Sequence, residues 1–450
     1  MKSEHPSPDL DRLFKAPTSP APSHASVHWE LVGGQGRYGS WTPVHRQDRV
    51  RALAQFRGYL YAGIGPAQAE VWRLAHGVWQ QVGGKSIFRS WPARNSETRG
   101  GVGLRPGHVW VNALLVDEQD HYLYAGVKDG QRGAQLWRFD GQMWEQIGGL
   151  GNAGDWISTD YDHVYALAWH EGYLYAGLQG HLTAFQLAEN DKAGVDPAAA
   201  EAGGYHPGLG NGEIYRFDGE EWTCVAGRGS FGSWNEEHSA MWVYTLCSIG
   251  GDLYAAIGRH AVRNLRWIGE VWRFRSGRWE QIGGEGVRNS WQLNHTNLVT
   301  SLIDYQGKLV VGYNCQDIPN DPERFGNVWA WDPGDEQWHH LGFPASCPDT
   351  AIISAQSSFN ASAVWDEHLV VVGGSADPTG CATVWALSIV ENKWVCLGYP
   401  SMPRPANNAD VWSQDAYGYS MMIFEDDLLV GCKGAEGTAH LWRCHRKQVS

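Results

Sequence analysis

From about Val27 onward the chain is written in short runs in which apolar and polar positions alternate, or in which every position is apolar, separated by tight turns. Val50-Arg51-Ala52-Leu53-Ala54 is followed, after Arg57-Gly58, by Tyr59-Leu60-Tyr61-Ala62-Gly63. A period of two with aromatic and β-branched residues predicts strands, and turns such as Asp140-Gly141 and Asp218-Gly219 predict antiparallel hairpins between them.

One four-part pattern recurs along the chain at a spacing of roughly 50–80 residues. An apolar first strand leads into a second strand such as Tyr122-Leu123-Tyr124-Ala125-Gly126 or Leu428-Leu429-Val430-Gly431, of which seven copies can be counted. A third strand carries Trp or Tyr, as in Val71-Trp72-Arg73 and Leu441-Trp442-Arg443, again in seven copies. The fourth is a Trp followed by an apolar pair and Gly, as in Trp79 to Gly84; six copies follow their third strands, and the seventh stands at the opposite end of the chain, in Trp29-Glu30-Leu31-Val32-Gly33-Gly34. A displaced fourth strand that pairs with the last unit joins the two ends of the chain and removes an open sheet edge. The expectation is an all-β, seven-bladed β-propeller of four-stranded antiparallel blades over residues 27–450, with 27–34 completing the last blade. Residues 1–26, rich in Ser, Pro, Ala and charge, read as a flexible arm.

Val370-Val371-Val372-Gly373-Gly374, then Val384-Trp385-Ala386 and Lys393-Trp394, resembles the kelch repeat, in which a double glycine precedes an aromatic strand, a short turn and a Trp strand. Most other units carry one Gly where the kelch pattern has two. The resemblance implies the propeller fold and carries over no functional residue.

Composition narrows the function classes. Gly (56) and Trp (25) are far above average usage, which suits many strands and turns. The net charge of −14 and the lack of a Lys/Arg cluster argue against nucleic acid and anionic membranes as partners. No run reaches the ~20 apolar residues that span a bilayer. The eight cysteines, from Cys224 onward, show no CxxC pair and no disulfide-scaffold spacing. A soluble, cytoplasmic protein is expected.

Turns between first and second strands, and between third and fourth, are short; connections between second and third strands, and from unit to unit, are long. In a propeller the two long classes share one face, where a binding site is expected. Candidate ligand-binding residues at the starts of the first strands are Arg49, Arg51, His108, Trp110, His163, Tyr165, Trp242, Tyr244, Asn297, Asn360, Tyr417 and Tyr419. His45, His163, His238 and His295 form a candidate set for a transition metal, the one cofactor considered, because imidazoles from separate loops are common ligands; loop histidines bonded to backbone are the plainer reading. Asp317, Asn320, Asp321 and Glu323 match no calcium-loop spacing and read as a solvated acidic loop. Trp41, Trp91, Trp156, Trp234 and Trp291 recur after Ser or Asp, which fits packing between blades better than sugar stacking. No nucleophile motif is present. The leading functional class is a binding or scaffold propeller for a protein, peptide or glycan; the other is an enzyme with a polar site at the channel mouth, using histidines and carboxylates for acid–base or metal-assisted chemistry on a small molecule.

Overall fold

The computed structural model describes residues 10–42, 47–92, 110–129, 133–151, 154–158, 161–180, 212–234, 240–261, 266–291, 297–315, 327–342, 358–374, 382–398, 415–434 and 439–447. Each repeat folds into a four-stranded antiparallel sheet in chain order. The first unit pairs Arg49–Phe56 with Tyr59–Gly65, that strand with Glu70–Ala75, and the third with Val78–Gly83. The last described unit contains Asp415–Phe424, Asp427–Gly434 and Ala439–Arg446, and its fourth strand is Val27–Gly33 from the other end of the chain. The register sets Trp29 opposite Cys444 and Leu31 opposite Trp442. The architecture is all-β, as expected, and its four-stranded sheets are consistent with a propeller.

The tryptophans of the fourth strands tie neighbouring units together. Trp79 donates its indole N–H to the carbonyl of Val32, Trp144 to Val82, Trp222 to Ile147, Trp279 to Val225, Trp338 to Ile282 and Trp394 to Leu341. Trp29 donates to Leu397, at 3.0 Å, so the chain of hydrogen bonds returns to the segment in which it began. A linear stack of sheets has no such return.

The core lies between the sheets. Ala54, Phe56, Tyr61 and Val71 of one unit pack with Val111, Leu123, Val127 and Trp144 of the next, and comparable clusters recur between the other units. Close packing explains the single glycine that ends most second strands. A Cβ on Gly63 would lie 2.6 Å from Cγ1 of Val111, and one on Gly431 would lie 2.8 Å from Cβ of Val50. Each glycine lets a second strand meet the first strand of the following unit, and the second pair links the last unit to the first.

The recurrent Trp41, Trp91, Trp156, Trp234 and Trp291 are all buried. Trp91, Trp156, Trp234 and Trp291 each donate to the carbonyl 22 residues earlier, and Trp41 donates to Ala439. Their rings meet other tryptophans edge-on, as in the 5.3 Å pair Trp91–Trp144. Buried and bonded in this way they serve packing, as their recurrence suggested.

The arm read as flexible in the sequence is docked from Leu10 on. Leu10 and Phe14 are 2% and 3% exposed, and they join Tyr305, Leu369, Leu387 and Trp394 in one cluster. The backbone N–H of Lys15 donates to Gln306, and both the N–H and the hydroxyl of Thr18 donate to Glu367. Three large apolar side chains, Leu10, Leu13 and Phe14, are the reason, because their burial opposes the entropy of a free tail.

Candidate functional site

The first strands converge on one cavity, and a shared irregularity aims their side chains into it. In the first unit Val50 pairs with Ile64 and Ala52 with Gly63, leaving Arg51 without a partner in the register. The same bulge isolates Asn112, Tyr165, Tyr244, Thr300, Asn360 and Tyr419 in the other described first strands. A bulge places two residues opposite one and turns the extra side chain out of the ladder. All of these bulge residues line a cavity of about 500 Å³, together with Thr245, Asn314, Tyr417 and Lys433. That volume lies in the range of small-molecule sites.

The local sequence explains the bulge. Most of these residues sit between a large buried apolar residue and a small one, as in Val50-Arg51-Ala52, Val111-Asn112-Ala113, Val164-Tyr165-Ala166, Val299-Thr300-Ser301 and Phe359-Asn360-Ala361; in the last unit Gly418 precedes Tyr419. The apolar neighbour is anchored between sheets; Val50, Val111, Val164, Val243, Val299 and Phe359 are each fully buried. The residue between them faces the cavity and not the core, and it varies: Arg in one unit, Thr in one, Asn in two and Tyr in three.

The cavity's charge is concentrated at the junction of the last and first units. Arg49 pairs through the backbone with Lys433. Asp48 accepts two hydrogen bonds from the Arg49 guanidinium, at 2.7 and 3.0 Å. Arg51 donates to Asn112 Oδ1 at 3.2 Å and to the Tyr165 hydroxyl at 3.3 Å. Both arginines lie over Trp110, at 4.3 and 4.6 Å from its ring centroid, and both over Tyr419, at 5.1 Å. Burial and the nearby charges of Arg49 and Arg51 pull the Lys433 ammonium below the usual lysine range, against the opposing pull of Asp48. Burial first, and Tyr165 second, raise the Tyr244 pKa well above that of a free phenol, so its hydroxyl stays protonated at neutral pH.

Of the ligand-binding candidates, Arg51, Tyr165, Tyr244, Asn360, Tyr417 and Tyr419 line the cavity. Trp110 stands directly against Arg51, and Arg49 lies against the same ring. Trp242 is buried beneath Tyr244, at 5.6 Å between rings, and supports the wall without forming it. His163 is buried beside Tyr165, at 4.8 Å. His108 and the side chain of Asn297 lie outside the described residues, as do His45, His238, His295 and the acidic loop of Asp317, Asn320, Asp321 and Glu323. Of the proposed metal set only His163 is described. Burial, Lys128 and Arg51 hold its pKa well below the ordinary histidine value, so its ring is neutral. Among the described residues no group of three His, Cys, Asp or Glu is arranged to hold a metal.

Asn112, Thr245, Thr300, Asn314 and Lys433 were not among the sequence candidates. Asn112 and Thr300 occupy the same repeat offset as Arg51, so aligning the units on the large-X-small triplet finds both. Asn314 and Lys433 lie near the ends of second strands, where no repeated signal marks them.

Residues 357–401 match the Kelch motif model, so a kelch-type repeat is present at the level of the fold. No curated protein matches the chain. The fold is similar to that of a chain in the crystal structure of a mitotic checkpoint complex, with TM-score 0.47 and 10% identity over 98% of this chain and 97% of that one. It is also similar to a protein of unknown function from Dyadobacter fermentans DSM 18053, with TM-score 0.46 and 9% identity over 90% of this chain and 96% of that one.

Proposed function

We propose that this chain is a ring-closed, seven-bladed binding propeller that holds a small polar molecule at the mouth of its central channel. The observation that carries this reading is the convergence of the bulge residues on one cavity, with Arg, Asn, Tyr and Thr in an order that does not repeat. Identical positions would suit several copies of one ligand; a varied ring suits one asymmetric ligand. The described lining residues supply hydrogen-bond donors, acceptors and aromatic faces, which suit the binding of a polar molecule. Cys224, Cys247 and Cys444 are thiols not bonded in disulfides, which fits a reducing compartment such as the cytoplasm. Among the described residues no helix is long and apolar enough to cross a membrane.

The test is a thermal-shift screen of small molecules, repeated with Tyr244→Ala. A true ligand at 100 times its Kd stabilises the folded state by about 2.7 kcal/mol, and the shift disappears in the variant. A hit that shifts both proteins equally binds elsewhere and removes the basis of this reading.

A further inference from the structure

The distribution of charge around the cavity is unusual for a chain with a net charge of −14. Arg49, Arg51 and Lys433 are drawn to one place, where the single carboxylate of Asp48 is hydrogen-bonded to Arg49 and acts on Lys433 only through its charge. Among the described residues neither Arg51 nor Lys433 makes a hydrogen bond or ion pair to a carboxylate; Arg51 bonds only to the neutral Asn112 and Tyr165, while Lys433 lies 5.9 Å over the ring of Tyr417. Nε of Arg51 and Nδ2 of Asn112 are buried with no hydrogen-bond partner. Cations withdrawn from water without counter-ions are costly, and aromatic faces compensate only in part.

We infer that the cavity takes an organic anion, whose charged group sits between Arg51 and Lys433 and whose body rests on Tyr165, Tyr244 and Tyr419. The inference rests on the pocket reading above and adds the ligand's chemical class. A carboxylate or phosphate at this place removes the repulsion between the two cations and accepts charge-assisted hydrogen bonds from both. An inorganic ion alone leaves most of a cavity of about 500 Å³ unfilled, whereas the tyrosine rings offer flat, partly polar surfaces to an organic body.

Calorimetry on the full chain with benzoate, phenyl phosphate, inorganic phosphate and the neutral benzamide tests this. At least one of the two organic acids is expected to bind at least tenfold more tightly than benzamide and inorganic phosphate, with affinity falling as salt rises. Which acid is tighter identifies the anion. Arg51→Gln and Lys433→Gln, each checked for an unchanged far-ultraviolet circular dichroism spectrum, are expected to weaken that acid at least tenfold. A second readout needs no ligand: Arg51→Gln is expected to raise the melting temperature of the free protein, because it relieves repulsion with Lys433. Benzamide binding as tightly as the acids, or acids binding the variants unchanged, overturns the anion assignment and leaves the pocket reading standing. Failure of all four probes overturns the assignment for this body size, and failure of the broader screen as well removes the pocket reading. A lower melting temperature for Arg51→Gln marks Arg51 as a structural residue and also overturns the assignment.

Discussion

Leu31 is the most direct place to test whether the two ends of the chain form one cooperative structure. Its side chain is 3% exposed and packs in a cluster that includes Val384, Leu397, Val430 and Trp442, residues more than three hundred positions away in sequence. Leu31→Ala removes the equivalent of three buried methyl or methylene groups, at about 0.8 kcal/mol each. The cavity left behind adds to this, giving about 2–5 kcal/mol in all. Trp29→Phe in the same strand deletes the hydrogen bond to Leu397 together with part of the ring packed against Gly398, and should cost about 1–3 kcal/mol. Urea denaturation followed by tryptophan fluorescence measures both, and the loss should appear as one shifted transition. A cost below about 1 kcal/mol for Leu31→Ala, or a separate early transition confined to the terminal strand, refutes the idea that this strand closes the fold.

Three further outcomes are expected. Gly63→Ala places a methyl group against Val111 and should destabilise by about 1–3 kcal/mol; the double variant with Val111→Ala should lose less than the sum of the two single changes, and strict additivity in urea melts contradicts the contact. Trp91→Phe leaves the Ala69 carbonyl buried without its 2.7 Å indole donor and should cost about 1–3 kcal/mol by the same assay, whereas a neutral effect means that the ring is held by packing alone. His163 is held neutral when folded, by burial and by the charges of Lys128 and Arg51, while the unfolded chain protonates near the ordinary value of about 6.5. Below that pH the unfolded state therefore binds more protons, and stability falls by up to about 1.4 kcal/mol per pH unit until the folded pKa is reached; above it His163 contributes no slope. His170, also lowered by burial, acts in the same direction, so the difference between the parent and His163→Gln isolates His163. Equal slopes for the two proteins between pH 6.5 and 5 contradict this account.

Much of the fold was legible because propeller packing repeats. Trp29, displaced to the wrong end of the chain, had one economical explanation, and its hydrogen bond to Leu397 is the same bond that Trp394 makes to Leu341. The docking of Leu10 and Phe14 was not legible, because those residues stand in a Ser- and Pro-rich segment with no period to assign them a face. Half of the ligand-binding candidates reached the cavity wall because they were taken from the starts of the first strands, where position alone is informative. Asn112 is less legible, because an asparagine between Val111 and Ala113 looks unremarkable until its offset is matched to Arg51 and Tyr165.

That offset is where the sequence separates structure from function. Residues on either side of it answer to the core: Val50 and Val111 fill the space between sheets, and the following small residues let the glycine of the second strand approach. The bulged residue between them answers to neither neighbour, so a packing requirement cannot explain why one unit places an arginine there and another a tyrosine. Arg51 makes the point sharply, since among the described residues this guanidinium meets only neutral partners, Asn112, Tyr165, Trp110 and Tyr419, and gains less from them than it would from a carboxylate. The proposed anion would account for such a residue where packing does not, and the melting temperature of Arg51→Gln measures whether the position trades stability for binding.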